Sequence, residues 1–197
     1  MPTYNSQTGH HDLPVDTELP ARLALLEELG LNGRRPMAEM DALADRFATA
    51  VSDLTGGQVF TGIINIITHD QFFPGLSTPR AAGGHSTGQA SASHTERTMS
   101  RSEGWCVYTL DRRLAFTLDD VRDWPRSVGN GAMHKLGVKT YLGAPMIHPS
   151  TGISLGTACV IGRQVTKWNS EAVDLSKLIA AKAVGQLTSP PARRALI

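Results

Sequence analysis

Apolar side chains recur at steps of three and four residues in three segments of the chain. These segments are residues 18–29, residues 36–54 and residues 169–187. This spacing is typical of an α-helix that buries one of its faces. Gly30 follows the first segment directly, and the side chain of Asn169 can cap the third. The pattern therefore predicts three long helices, two near the start of the chain and one near its end.

Between the second and third helices the chain is rich in β-branched and aromatic residues, which favour strands. The predicted strands are residues 59–68, 105–110, 114–118, 138–147 and 153–163. Residues 69–76, "HDQFFPGL", are interpreted as a turn, and residues 132–136 as a short helix. The order of elements predicts an α+β fold in which a central antiparallel β-sheet of five to six strands is flanked by helices.

Three segments lack any hydrophobic period. We expect residues 1–15 to be a flexible N-terminal tail and residues 188–197 a flexible C-terminal tail. Residues 77–102 form a long loop rich in Ser, Gly and His, of a length typical of lids, binding loops or disorder. Residues 16–187 are then a single domain. The histidines at 10, 11, 85 and 94 lie in these segments without a preset geometry, so no metal site is predicted.

Composition excludes several classes of protein. The 197 residues are 41% hydrophobic and 19% charged, as in ordinary globular domains, and the formal net charge is +1. Such a balance offers no basic surface, so neither nucleic acid nor a membrane is expected as a partner. Two cysteines do not make a disulfide framework, and the N-terminal residues lack the apolar core of a signal peptide. We therefore expect a cytoplasmic protein whose thiols are reduced.

The two cysteines are the most reactive side-chain type in the chain. Cys159 stands between Ala158 and Val160 in a predicted strand, a setting that raises a thiol pKa and makes the group inert. No neighbouring base is visible that could activate it. For Cys106 a packing role is also favoured, although a Cys106–Cys159 redox pair is conceivable if their two strands adjoin.

Three linked stretches resemble the GAF domain family, small-molecule sensor domains related to PAS domains. They are "LDRRLAFTLDDVRDWPRSVGNGAMHKLGVKTYLGAPMI", "SLGTACVIGR" and "WNSEAVDLSKLIAAKA". In element order the resemblance covers roughly residues 36–187. It implies a GAF/PAS-like fold with a ligand pocket between the sheet and residues 119–136.

The resemblance also implies a function, that of a non-catalytic sensory or regulatory domain binding an unidentified small molecule. Side chains with an apolar body and a polar tip are expected to line the pocket. The predicted ligand-binding residues are Trp105, Tyr108, Asp120, Trp124, His134 and Tyr141. No catalytic residue is predicted, and the cofactor is unknown; His134 could hydrogen-bond a ligand or bind haem iron. Signalling is expected through a partner protein or through a homodimer formed by helices 18–29 and 169–187.

Two alternatives belong to other classes. One is a thiol-based redox enzyme of the free methionine sulfoxide reductase type, a GAF relative, using Cys106. The other is a protein-interaction module without a ligand. Fast alkylation of Cys106 at neutral pH would favour the enzyme, whereas stabilisation by a metabolite would favour the sensor.

Overall fold

In the described part of the chain, the fold is built around a six-stranded sheet and five α-helices. The computed structural model describes residues 4, 5, 7, 10–78 and 96–189. The strands are β1 (Tyr4–Asn5), β2 (His10–His11), β3 (Phe60–Ile67), β4 (Gln71–Leu76), β5 (Thr98–Met99), β6 (Phe116–Leu118), β7 (Thr140–Ile147) and β8 (Ser154–Gly162). The helices are α1 (Leu19–Glu28), α2 (Ala38–Leu54), α3 (Cys106–Arg112), α4 (Gly131–Leu136) and α5 (Ser170–Leu187).

Strands β3 to β8 form one sheet in the order β5-β4-β3-β8-β7-β6, and every neighbouring pair is antiparallel. The first long strand of the domain therefore lies beside the last, with Phe60 opposite Gly162 and Ile66 opposite Gly156. Strands β7 and β8 form the predicted hairpin. The predicted α+β fold with a flanked antiparallel sheet is confirmed.

Successive side chains of a strand point to opposite faces of the sheet, and β3 contributes in this way to hydrophobic cores on both faces. Ile64 packs with Phe47 and Val51 of α2 in one core, whereas Ile63 and Ile67 belong to the other. Helices α2 and α5 cover the first face together. At Gly62 a Cβ atom would lie 2.2 Å from the Ala44 carbonyl oxygen, so α2 rests directly on the strand backbone.

Short segments cover the second face of the sheet. They are α3, two 3₁₀ turns (Val121–Asp123 and Pro125–Ser127) and α4. Asn130 caps α4 by accepting a hydrogen bond from the Ala132 N–H at 3.0 Å. Asn169 caps α5 in the predicted manner, accepting from the Ala172 N–H at 2.8 Å.

The predicted strand at residues 105–110 is wrong, because the structure places helix α3 there. Its aromatic and β-branched residues favour strands, but residues Cys106 to Leu110 are all buried between the sheet and the 3₁₀ turns. A segment that is buried on all sides can bury its side chains as a helix or as a strand. The surrounding packing therefore decides the structure here, against the strand propensity of these residues. Gly104 and Arg113, both with positive φ, bound the helix.

The predicted turn at residues 69–76 is also wrong, because most of it is strand β4. Pro74 argues against a strand, since proline cannot donate to the ladder. The register between β3 and β4 shifts between Ile64 and Ile66, and Pro74 lies opposite that irregularity. Its carbonyl accepts from the Met37 N–H at 2.9 Å, which ties α2 to the sheet.

The termini and the long loop are described only in part. Strands β1 and β2 pair with each other within residues 1–15, and β5 lies within the predicted loop 77–102. Residues 1–3, 6, 8–9, 79–95 and 190–197 lie outside the described residues, as do His85 and His94. Flexibility of the two tails and of the loop stays a prediction.

Helix α1 is held to the sheet by an arginine with no exposed surface. Arg22 donates from Nε to the Ile67 carbonyl at 2.7 Å and from Nη1 to the Ser154 carbonyl at 3.0 Å. Its Nη2 forms an ion pair with Asp16, which also pairs with Arg101 at 2.8 Å. Burial lowers the pKa of Arg22, and the Asp16 carboxylate opposes this effect.

Candidate functional site

The second face of the sheet holds a cavity of about 920 Å³, which we call the sheet cavity. This volume lies at the upper end of the range for small-molecule sites. Its floor is formed by β3, β4 and β8, and its walls by β5 and α4. Apolar lining residues are Val59, Ile63, Phe73, Leu76, Met99, Ala132, Leu136, Val138 and Ile161.

Charged side chains of both signs stand at the rim of the sheet cavity. Lys135 of α4 forms an ion pair with Glu103, and the hydrogen bond to Glu103 raises the pKa of Lys135. Arg163 donates from Nε to the Leu136 carbonyl at 3.1 Å, and its remaining donors have no protein partner among the described residues. The cavity therefore combines an apolar interior with a polar entrance.

A double hydrogen bond joins the wall of the sheet cavity to the segment that leads into α3. Asn130 Oδ1 accepts from the Gly104 N–H at 2.9 Å, and its Nδ2 donates to the Gly104 carbonyl at 2.9 Å. Since Asn130 also caps α4, one side chain positions α4 and the start of α3 together.

Four of the six predicted site residues come together in one group, the aromatic cluster of Trp105, Tyr108, Trp124 and Tyr141. The Tyr108 and Trp124 rings meet edge-on with centroids 4.6 Å apart, and Trp105 lies 5.8 Å from Tyr141. Trp105 donates from Nε1 to Ser127 Oγ at 2.9 Å. The Arg126 guanidinium stands 5.7 Å from the centre of the Tyr108 ring.

The other two predicted residues lie apart from this cluster. Asp120 caps a 3₁₀ turn by accepting from the Arg122 N–H at 2.9 Å, and the Arg122 side chain lowers the pKa of Asp120 to about 2. His134 is exposed on α4. None of the six lines the sheet cavity, because the aromatic side chains pack against one another beside it. Their role in ligand binding stays a prediction.

The two cysteines meet beneath the aromatic cluster. Cys106 Sγ of α3 lies 3.6 Å from Cys159 Sγ of β8, and we call them the thiol pair. Tyr141 donates from its hydroxyl to Cys106 Sγ at 3.7 Å, and that hydroxyl is 2.7 Å from Thr109 Oγ1. The two thiols adjoin as the sequence-based alternative required, although Cys106 lies on a helix.

The thiol pair is electrostatically asymmetric. The hydrogen bond from Cys159 lowers the pKa of Cys106 and outweighs the opposing effect of burial. Thr157, Asn65 and Tyr141 act in the same direction as Cys159. The same hydrogen bond, followed by burial, raises the pKa of Cys159 well above its ordinary value. The Tyr141 hydroxyl, which donates to Cys106 Sγ, also favours ionisation of Cys106 over Cys159.

Sequence reasoning missed the residues of the sheet cavity. The alternation in β3 separates Thr61 and Ile63 from Phe60 and Ile64, so a correct strand register could have assigned the two faces. It could not have shown that one face is left partly hollow. That depends on how far α4 and β5 stand from the sheet.

Two further searches concern metals and membranes. Within the described ranges, no three His, Cys, Asp or Glu side chains cluster in a way that could hold a metal ion. None of the helices in the described part of the chain combines the length and apolar character that crossing a bilayer requires.

Comparison with known proteins assigns the family. Residues 39–187 match the model of the GAF domain. The chain belongs to the GAF domain family. No curated protein matches the sequence.

Solved GAF structures share the fold of this GAF domain at low sequence identity. The GAF domain of a phosphoenolpyruvate-protein phosphotransferase from Coxiella burnetii is 15% identical with a TM-score of 0.54, covering 91% of this chain and 99% of that one. Free methionine-R-sulfoxide reductase from Neisseria meningitidis, solved with its substrate, is 10% identical with a TM-score of 0.51, covering 94% and 98%.

A third solved structure is the type II free methionine-R-sulfoxide reductase from Thermoplasma acidophilum. It is 9% identical with a TM-score of 0.52, and the match covers 75% of this chain and 92% of that one. Structural neighbours of this GAF domain thus include both GAF domains of larger proteins and free methionine sulfoxide reductases. At these identities the likeness concerns the fold alone.

Proposed function

We propose that this GAF domain is a non-catalytic sensor that binds a small molecule in the sheet cavity. The observation that carries the proposal is the cavity itself, with its apolar interior and a rim of charged groups. A ligand with a largely apolar body and an anionic end fits this arrangement. The apolar body would contact Ile63 and Ile161, and the anionic end would meet the Arg163 donors that have no partner among the described residues.

The signal would pass by association, either with a partner protein or with a second copy of the chain through α1 and α5. These helices carry no cavity residue, so contacts on their outer surfaces leave the ligand site accessible. Leu178 of α5, with 51% of its surface exposed, supplies an apolar contact on that side of the molecule.

The ligand proposal is tested first by native mass spectrometry of the freshly purified full chain, where a retained ligand appears as added mass. Binding of the apolar dye 8-anilinonaphthalene-1-sulfonate then measures the empty cavity. We expect one dye molecule per chain, because the cavity volume of about 920 Å³ exceeds the size of the dye. A metabolite at 100 times its Kd would add ~2.7 kcal/mol to the free energy of unfolding.

A cavity-filling variant provides the matched comparison. Ile161→Trp places an indole in the cavity and should abolish dye binding, whereas Val165→Trp, at an exposed position outside the lining, should leave it intact. Circular dichroism checks that both variants fold. If the wild-type chain retains no mass, binds no dye and gains no stability from metabolites, the sensor proposal fails and a ligand-free interaction module replaces it.

A second candidate is a free methionine sulfoxide reductase that uses Cys106. The observation in its favour is the thiol pair, with Cys159 within 3.6 Å of a thiol whose pKa is lowered. Against it stands the position of Cys106 outside the sheet cavity. Incubation of the reduced chain with free methionine-R-sulfoxide and dithiothreitol tests it. Methionine formed no faster than with Cys106→Ser would remove this candidate.

A further inference from the structure

The thiol pair has a geometry that simple packing does not require. Cys106 and Cys159 are the two cysteines of the whole chain, 53 residues apart in sequence, and both are buried. The fold nevertheless brings their sulfur atoms to 3.6 Å. Closing that gap to the ~2.05 Å of a disulfide requires a movement of about 1.5 Å, which rotation of a side chain and a small shift of the short helix α3 can supply.

We infer that Cys106 and Cys159 are a site of reversible disulfide formation, oxidised by a small hydroperoxide such as hydrogen peroxide and reduced again by a dithiol. This inference does not rest on ligand binding in the sheet cavity. It assigns the chain a redox-responsive site in addition to the proposed sensor function. Disulfides of this kind in reducing compartments are typically transient and redox-sensing.

Polar groups around the sulfur atoms support a reacting thiol more than a packing one. Thr157 Oγ1 is buried and makes no hydrogen bond within normal limits among the described residues. A buried hydroxyl without a partner destabilises a fold, so apolar packing alone gives no reason for Thr157. A thiolate at Cys106 would accept its proton, as it would that of Tyr141, which already points at Cys106 Sγ.

The reaction balances with one peroxide for each thiol pair. The Cys106 thiolate attacks a peroxide oxygen, the O–O bond breaks, and a sulfenic acid forms at Cys106 with loss of hydroxide. Cys159 Sγ then attacks the sulfenic sulfur, and the hydroxyl leaves as water with the Cys159 proton. Two thiols and one hydrogen peroxide give one disulfide and two waters, with two electrons passing from sulfur to oxygen.

The direction of attack follows from the surroundings of the two sulfur atoms: the Tyr141 hydroxyl donates to Cys106 Sγ, and Cys106 is 7% exposed whereas Cys159 has no exposed surface. The thiolate is the nucleophile, and the pKa of Cys106 is lowered whereas that of Cys159 is raised. Oxidation should therefore reach its maximal rate at a lower pH than for an ordinary thiol, whose pKa is about 8.5. Hydrogen peroxide is only slightly larger than water, so it can reach a thiol that is nearly buried. Cys106 has 7% of its surface exposed, which leaves such access.

The experiment oxidises the folded full chain with hydrogen peroxide, then unfolds it and alkylates the remaining thiols before mass spectrometry. The expected product carries no alkyl group, has lost two hydrogens, and regains both thiols with dithiothreitol. Two alkylatable thiols after peroxide treatment would overturn the inference. So would oxygen added at Cys106 while Cys159 remains alkylatable. In Cys159→Ser, where no disulfide can form, oxygen should accumulate on Cys106.

A pair of hydroxyl variants separates the reacting site from general destabilisation. Thr157→Val removes the donor beside Cys106, so the pH at half-maximal oxidation rate should rise, and each pH unit of rise slows the reaction about tenfold in acid solution. Ser154→Ala removes another buried hydroxyl of β8, one that has no hydrogen-bond partner within the described ranges and no effect on the pKa of Cys106. Equal pH profiles for the two variants would contradict the role assigned to Thr157.

Discussion

At the scale of single residues, Gly143 leaves the space that the Tyr141 hydroxyl occupies. Gly143 of β7 lies opposite Cys159 of β8, and a Cβ atom there would stand 2.3 Å from Tyr141 Oη and 3.1 Å from Cys159 Cβ. Its backbone has no unusual φ, so the glycine is required by space alone. The absent side chain therefore lets Tyr141 reach both Thr109 and Cys106.

We expect Gly143→Ala to lower the free energy of unfolding by about 1–3 kcal/mol, as overpacking in a core does. Urea denaturation of the reduced chain measures the change. In the double variant with Tyr141→Phe the nearest clashing atom is absent. The double variant should therefore lose less free energy of unfolding than the sum of the losses of the two single variants. Strict additivity would mean that the two side chains do not compete for this space.

Single residues also show where sequence reasoning reaches its limit. Cys159 was correctly interpreted as a buried strand residue, because its apolar neighbours are part of the same strand. Its contact with Cys106 was left as one possibility, since a distance across 53 residues depends on the fold. Asp120 is predicted to bind a ligand, which stays a prediction, and the structure adds a local role, since its carboxylate caps the turn by accepting from the Arg122 N–H.

At the scale of elements, Arg22 joins α1 to the sheet, and Asp16 neutralises its charge. Arg22 donates hydrogen bonds to the carbonyl at the end of β3 and to the carbonyl at the start of β8, so its positive charge is buried inside the fold. A buried guanidinium needs a counter-charge, and Asp16 supplies it from the residues just before α1. Arg22 therefore ties α1 to both strands, and Asp16 compensates the positive charge that this contact buries.

Removal of that counter-charge should be costly. We expect Asp16→Ala to lower the free energy of unfolding by about 3 kcal/mol, because it leaves a buried charge without compensation. Thermal and urea denaturation measure the loss. Asp174→Ala, which breaks an exposed pair with Lys177, should cost no more than about 1 kcal/mol. A similar small loss for both variants would refute this account of α1.

Elements were predicted best where their period is long and their ends are marked. Helix α5 has an apolar face and an Asn169 cap, and the prediction places it almost residue for residue. Helix α3 was predicted as a strand because seven residues are too few to display a helical period when the first five, Cys106 to Leu110, are all buried. Strand β4 was not predicted because Pro74 argues against a strand. The sheet accommodates this proline because the register with the neighbouring strand β3 is irregular there.

At the scale of the whole molecule, the fold followed from the sequence and the cavity did not. Element order and the hairpin around residues 148–152 restrict the chain to few arrangements, and antiparallel pairing follows from short connections. The sheet cavity, by contrast, is lined by five separate elements and by residues between them. Hydrophobic patterning marks a face as buried, but it does not distinguish a filled core from a hollow one.

The predicted homodimer belongs to this scale. Light scattering of the full chain should give twice the mass of one chain. The variant Leu178→Glu should be a monomer, because it places a charge on the outer face of α5. Val128→Glu is the control, since Val128 is similarly exposed, at 56% against 51%, but lies by the 3₁₀ turns on the opposite side of the sheet. A monomeric wild type at high concentration would refute the dimer.

The two sides of the sheet differ in how they are built, and this has a consequence for adaptability. Two helices of 17 and 18 residues seal one side with interlocking apolar contacts, whereas pieces of seven residues or fewer cover the other. Long helices resist local rearrangement, but brief turns can shift individually at little cost. Structural adjustment to ligands of different shapes should thus be confined to the side of the sheet that the short segments cover. The side that α2 and α5 cover should stay rigid.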